Sequence, residues 1–294
     1  MSRFLAILSA IVFLFTVNAS AVTFREVPCA DLPGLTAKSG AVPKITAGPY
    51  LVDMGSNAVT VMWQTDIPTV GKIVVSNGET TAEYTTTKPS RLDSLRIKDL
   101  SPDSRYFYRL SVGSKSIASD AFRTFPVNPR PVSFAVYGDT RSNPDRHARV
   151  IKAMAAEKNL DFVLHTGDLV SDGSKLENWI PGYFTPTHSL IGRVPFYTVE
   201  GNHDGDTFYY QYRGMGNVPW YSFDELNIHV IALDSTQSFD VGSAQYKWLI
   251  SDLEKHKNAK WKFIVLHSPV YTSGPHGADS SLPHGERSCH APPR

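Results

Sequence analysis

From Val42 to Pro126 the chain alternates apolar and polar positions with a period of two. Ala58–Thr65 reads AVTVMWQT and places Val59, Val61 and Trp63 on one face of a predicted strand. Gly71–Gly78 is a second short strand, closed by the Asn77-Gly78 turn pair. Leu100-Ser101-Pro102 leads into Tyr106-Phe107-Tyr108, a tyrosine placed at a corner where a strand begins, and the last strand runs over Phe122–Phe125. Core packing is the reading for Trp63 and Tyr106. After the proline-rich stretch 127–131, expected as a stiff linker, the rhythm changes. Strands are predicted over Val132–Tyr137, Asp161–His165, Phe196–Val199, Ile228–Leu233 and Lys262–Leu266. Two helices alternate with them. His147–Lys158 carries Val150, Ile151, Met154 and Ala155 on its apolar face; Ala244–Lys257 carries Tyr246, Leu249, Ile250 and Leu253. Runs of strands followed by strand–helix alternation predict an all-β sandwich over 42–126 and then an α/β layered domain over 132–277.

The two ends fit neither pattern. Residues 1–21 place Arg3 before an apolar run, Phe4–Val17, and then small residues Ala19-Ser20-Ala21. That is the layout of a secretory signal, and the run falls short of the ~20 residues that span a bilayer. The expectation is a secreted or periplasmic protein with no membrane attachment after signal removal. Residues 22–41 form a mixed polar lead, and 278–294 show no strand or helix period. With 29 Lys+Arg against 28 Asp+Glu the formal charge is +1, which gives no electrostatic footprint for nucleic acid. Two cysteines, Cys29 and Cys289, exclude a disulfide-dense scaffold and a cysteine-based metal site.

Four of the predicted strands end in similar punctuation: Gly138-Asp139, Gly167-Asp168, Gly201-Asn202-His203-Asp204, and His267. Ligands of α/β sheets sit beyond the carboxyl ends of strands, so Asp139, Asp168, Asn202 and His267 are candidates to share one rim. Carboxylate, amide and imidazole together suit Fe, Mn or Zn. One Gly-Asp pair is most simply a turn; four such endings in order are not explained by turn chemistry.

This order of motifs resembles the calcineurin-like metallophosphoesterase superfamily. With the fibronectin type III-like domain in front, it resembles the purple acid phosphatase branch. The resemblance implies a two-metal hydrolase acting on phosphate esters through a metal-bridging hydroxide. Asp139 would bind the first metal, Asp168 would bridge, and Asn202 and His267 would bind the second. His203 and His276 would be the outer histidines that meet the phosphate or leaving group. His147, His165, His188, His229 and His256 carry the reading of surface or satisfied core residues.

The chain departs from the family at three points. Ser171 stands where purple acid phosphatases place the tyrosine three residues after the bridging Asp. Arg141 stands where other members place a histidine, and is a candidate for meeting the substrate phosphate or for a salt bridge. The closing Gly-His-x-His is missing, and His284 and His290 do not reproduce it. These departures lead to the expectation of a truncated domain, one weakly held metal at most, and impaired turnover. The competing expectation is a non-catalytic binding protein with a decayed catalytic half. Oligomeric state is not readable from the sequence.

Overall fold

The computed structural model describes residues 43–112, 115–205 and 207–269. The signal, the lead segment, His276 and the tail after it lie outside the described residues.

The amino-terminal region consists of two antiparallel sheets. One has the order β1 (Ile45–Val52), β2 (Val59–Thr69), β5 (Ser90–Ile97); the other runs β4 (Thr81–Thr85), β3 (Gly71–Ser76), β6 (Arg105–Val112), β7 (Lys115–Arg123). Alternation drives this arrangement. On β6, Tyr106, Tyr108 and Leu110 point inward while Arg105, Phe107 and Arg109 are exposed. They meet Val59, Val61 and Trp63 of β2 in one core. The Tyr106 hydroxyl accepts from Ser101 N at 2.8 Å, so the expected tyrosine corner is present as a hydrogen bond. At the Asn77 turn, Oδ1 accepts from Glu79 N and Thr80 N at 3.0 and 2.8 Å. Strands β1, β4 and β5 were not singled out by the sequence pattern. β4 is an exposed edge and β5 is half-buried along most of its length, so neither shows clean alternation.

The α/β region also has two sheets. β8 (Phe134–Tyr137), β9 (Phe162–His165) and β10 (Phe196–Thr198) are parallel, in the order β10-β9-β8. β11 (Tyr221–Glu225) pairs antiparallel with β12 (Ile228–Ala232), which pairs parallel with β13 (Trp261–Val265). The sheets face each other through aromatic contacts: Tyr197 stacks on Phe223 at 3.7 Å, Phe223 lies edge-on to Phe162 at 5.3 Å, and Phe263 edge-on to Phe134 at 5.1 Å. β9 is buried on both faces, because helices α1 (Pro144–Ala156) and α3 (Thr185–Ile191) cover the other side of its sheet. Short helices α2 (Leu176–Trp179) and α4 (Thr207–Arg213) complete that layer, with a π-helical turn at Ile180–Phe184. Helix α5 (Ala244–Lys255) connects β12 to β13.

Two helix faces differ from expectation. α1 buries His147, Ile151 and Met154, and Val150 is exposed. α5 buries Gln245 and Asp252, and Ile250 is exposed. Polar contacts set the phase of α5. The Gln245 amide exchanges two hydrogen bonds with the Asp234 backbone, and Asp252 meets Ser222 and His229 on the sheet. A pattern counted from apolar residues alone cannot see such a face.

The stretch 127–131 crosses a packed seam. Arg130 is paired with Asp161 at the start of β9. Tyr108 OH donates to Gly192 O and Tyr50 OH to Tyr212 O, both at 2.9 Å. One buried apolar cluster runs through both regions.

Candidate metal centre

The parallel strands end at one rim, and each ending delivers a side chain to it. β8 runs into Gly138-Asp139, β9 into Thr166-Gly167-Asp168, β10 into the loop 199–204, and β13 in the facing sheet into His267. Asp139 and Asp168 both take left-handed backbone, φ 56° and 58°. Such turns fold the chain back at a strand end and leave the carboxylate facing the rim. The first turn is stitched to the second: Asp139 N donates to Gly167 O, and Thr140 N and Arg141 N to Asp168 O, at 3.0, 3.0 and 3.1 Å. Gly201 is required by close approach, since a Cβ there would lie 2.3 Å from Asp168 N and Oδ1.

One ligand atom each from Asp139, Asp168 and His267 lies within 4.8 Å of the others. His267 Nδ1 donates to Thr166 O at 2.8 Å, which leaves Nε2 facing the rim. That nitrogen is 3.2 Å from Asn202 Oδ1 and 3.4 Å from Asp168 Oδ1. With the Nδ1 proton committed, a neutral His267 brings three acceptor atoms together with no donor among them. That donor set suits a cation of the Fe, Mn or Zn class. Arg141 Nη1 lies 3.0 Å from Asp139 Oδ1 and 2.5 Å from Asp168 Oδ2, so a guanidinium joins the two carboxylates at the other end. His203 is half-buried; its backbone N donates to Asp168 Oδ1 at 3.1 Å and its Nδ1 to Ser171 O at 3.0 Å, and Nε2 has no partner among the described residues.

Asp139, Asp168, Asn202 and His267, the four strand-end candidates, are therefore neighbours, and Arg141 and His203, singled out by the family resemblance, lie beside them. Two supporting residues were not given roles from the sequence. Asp204 is fully buried. Its Oδ2 accepts from Asp168 N and Gly201 N, both at 2.8 Å, and its Oδ1 from Leu169 N and Val170 N at 2.6 and 3.2 Å. One carboxylate thus ties the Asp168 turn to the Gly201 loop. Burial pushes this carboxyl up to about 6 despite the N–H groups that pull it down. Its place at the end of Gly201-Asn202-His203-Asp204 was the available signal. His165 is the other. Its Nδ1 accepts from Gly167 N at 3.2 Å, so Nε2 carries the proton and donates to Thr140 Oγ1 at 3.0 Å. Burial holds its pKa well below the usual histidine range, as this neutral tautomer requires. Its reading as a satisfied core histidine agrees with its burial, and the bonds show that it also braces both turns.

A second His/Asp group lies at the far end of β12: Asp224, His229 and His256, joined by Asp252. Both ring nitrogens of the buried His229 are taken, by Asp224 Oδ1 at 2.8 Å and Asp252 Oδ2 at 2.7 Å. The two imidazoles stack at 3.9 Å and 15°, so their in-plane lone pairs cannot converge on one ion. This group clasps α5 to its sheet.

A calcineurin-like phosphoesterase profile matches residues 132–290. The chain belongs to the calcineurin-like phosphoesterase family. Among its relatives are purple acid phosphatase 21 of Arabidopsis thaliana, 26% identical over 216 residues covering 67% of this chain and 48% of that protein, and Fe(3+)-Zn(2+) purple acid phosphatase 12 of the same organism, 23% identical over 208 residues covering 61% and 44%. The chain spans about half the length of the curated relatives it matches. The fold is similar to that of purple acid phosphatase PPD1 from yellow lupin (Lupinus luteus) seeds, with a TM-score of 0.62 at 17% identity over 77% of this chain and 52% of that one. The sheet-rich region followed by an α/β phosphoesterase domain is therefore the architecture of that structure as well. No helix among the described residues is long and apolar enough to cross a membrane.

Proposed function

We propose that this phosphoesterase-family chain hydrolyses phosphate esters at a metal centre held by Asp168, Asn202 and His267, with Asp139 beside it. The observation that carries the reading is the convergence of His267 Nε2, Asn202 Oδ1 and Asp168 Oδ1, three acceptors from three strand ends within 3.4 Å contacts. The metal named with one relative is an iron–zinc pair; iron, zinc or manganese all suit this set. An ion bound here would supply charge neutralisation for the phosphoryl oxygens and a water acidified for attack on phosphorus.

The protein groups do the rest. Asp168 and Asn202, each on its own strand-end loop, would hold the ion together with His267. His267 keeps Nε2 available because Thr166 O takes its Nδ1 proton. His203, with Nδ1–H spent on Ser171 O, presents Nε2 to the phosphate or to the leaving oxygen; as an imidazolium it would carry a second proton there, donate it to the leaving oxygen and remain the Nδ1–H tautomer. Arg141 has the planar fork that matches phosphate oxygens. Counting protein ligands, Asp168, Asn202 and His267 make three, the usual minimum for a catalytic ion. Among the described residues the Asp139–Asp168 position has two, so one ion, weakly held, is the expected load, with slow turnover. His276 belongs to the same proposal as an outer histidine, and export rests on residues 1–21; both lie outside the described residues.

The test is elemental analysis of the purified chain together with turnover of an aryl phosphate. Metal uptake and turnover that both vanish in Asp168→Ala support the reading. A wild-type chain that binds no Mn, Fe or Zn and turns over nothing refutes it in favour of a non-catalytic binding protein.

A further inference from the structure

We propose that the guanidinium of Arg141 is the resident cation of the Asp139–Asp168 end of the site, and that it sets the number of metal ions the site accepts. The inference rests on the phosphoesterase reading above and deepens it. Ligand counting alone attributes a single ion to a shortage of protein donors. The geometry supplies a different cause.

Arg141 stands two residues after Asp139 on the same turn, and its backbone N is fastened to Asp168 O at 3.1 Å. The side chain is 30% exposed, and one nitrogen, Nη1, reaches both carboxylates: Asp139 Oδ1 at 3.0 Å and Asp168 Oδ2 at 2.5 Å. The two partners differ. Asp139 is two-thirds exposed, and the Asp168 side chain is 2% exposed. A buried carboxylate whose one oxygen faces His267 and His203 N needs a positive partner on its other oxygen. Arg141 provides it permanently, because a guanidinium does not lose its proton in a protein.

An ion entering between Asp139 and Asp168 would meet a fixed positive charge already bonded to both of its ligands. It must displace that fork or stay out. An ion between Asp168 Oδ1, Asn202 Oδ1 and His267 Nε2 uses the other carboxylate oxygen, where it meets the neutral His203 N–H and, among the described residues, no fixed positive charge. The two ends of the site therefore differ in what they accept: metal at the His267 end, guanidinium at the Asp139 end.

The experiment is equilibrium dialysis against manganese(II), with bound metal counted per chain, on wild type, Arg141→Ala, the double variant Arg141→Ala/Asp139→Asn, and Arg149→Ala. Arg149 is an exposed cation of α1 that controls for the loss of one positive charge. Circular dichroism melting checks that each variant is folded. The expected counts are one for wild type, two for Arg141→Ala, one for the double variant and one for Arg149→Ala. A count of one in both wild type and Arg141→Ala overturns this proposal and leaves the phosphoesterase reading standing. Two ions in wild type also overturn it, and so does a second ion in Arg149→Ala. Should neither wild type nor Arg141→Ala bind manganese, or zinc or iron(II) in the same dialysis, the phosphoesterase reading fails and this inference falls with it.

Discussion

Asp204 offers the sharpest test of how the rim is held. Asp204→Asn keeps the shape and changes the chemistry. The wild-type carboxylate accepts four backbone N–H groups, two on each oxygen. An asparagine has one carbonyl oxygen, so whichever way it turns, two N–H groups face an NH2 donor. A buried donor left without an acceptor costs about 1–3 kcal/mol, so two cost about 2–6 kcal/mol. Whole domains are stable by about 5–15 kcal/mol, so the loss is large. The assay is urea unfolding, made well above the value of about 6 to which burial pushes the Asp204 carboxyl, so that the wild-type group is ionised. Hydrogen exchange at the amides of Asp168, Leu169, Val170 and Gly201 localises the effect. Faster exchange at the two orphaned amides and a lower midpoint are expected, together with weaker manganese uptake, because Asp168 and Gly201 lose their common anchor. An Asn variant with the wild-type midpoint, wild-type slope and all four amides protected would refute the reasoning.

The other predictions follow from the same contacts. Asp168→Ala removes the carboxylate shared by Arg141, His267 and His203, so it should abolish metal uptake, whereas His203→Ala should leave metal content unchanged and slow turnover by ~10²–10⁴-fold; elemental analysis beside kinetics separates the two, and metal loss in His203→Ala would reassign that residue. Since Ser171 replaces the tyrosine whose ferric complex colours purple acid phosphatases, an iron-loaded preparation should show no intense visible band, and a purple absorbance would refute this. Glu225 is buried with no hydrogen-bond partner for either oxygen among the described residues, and burial, then the charge of Asp161, pushes its carboxyl from 4.5 up to about 8 against the opposing pull of Arg130. The folded state therefore binds this proton more tightly than the unfolded chain, so stability should fall by up to ~1.4 kcal/mol per pH unit between about 4.5 and about 8. Glu225→Gln should remove that decline in urea midpoints measured across the range; an unchanged slope would sink the assignment.

Strand endings were legible from residue order because their signals are local. Gly-Asp after an apolar run marks a left-handed turn at a strand end, and parallel strands in one sheet must bring such turns to one rim, so Asp139, Asp168 and Asn202 could be named before any contact was known. His267 could be named for the same reason, although its strand lies in the facing sheet. Helix phase was less legible. Ile250 looked like a core position of α5, yet Gln245 and Asp252 hold that place, because hydrogen bonds to strands distant in sequence outweigh apolar spacing. Asp204 and His165 lay in plain view as letters. What they do depends on N–H groups supplied by a loop some thirty residues away, or by a turn whose direction only the folded backbone sets. Arg141 is of the same kind: that one of its nitrogens reaches two carboxylates from different strands is visible only in the fold. Residue type and spacing determine which chemistry a strand end can carry, while the distance between two strand ends is a property of the sheet, and that distance makes Arg141 a bridge.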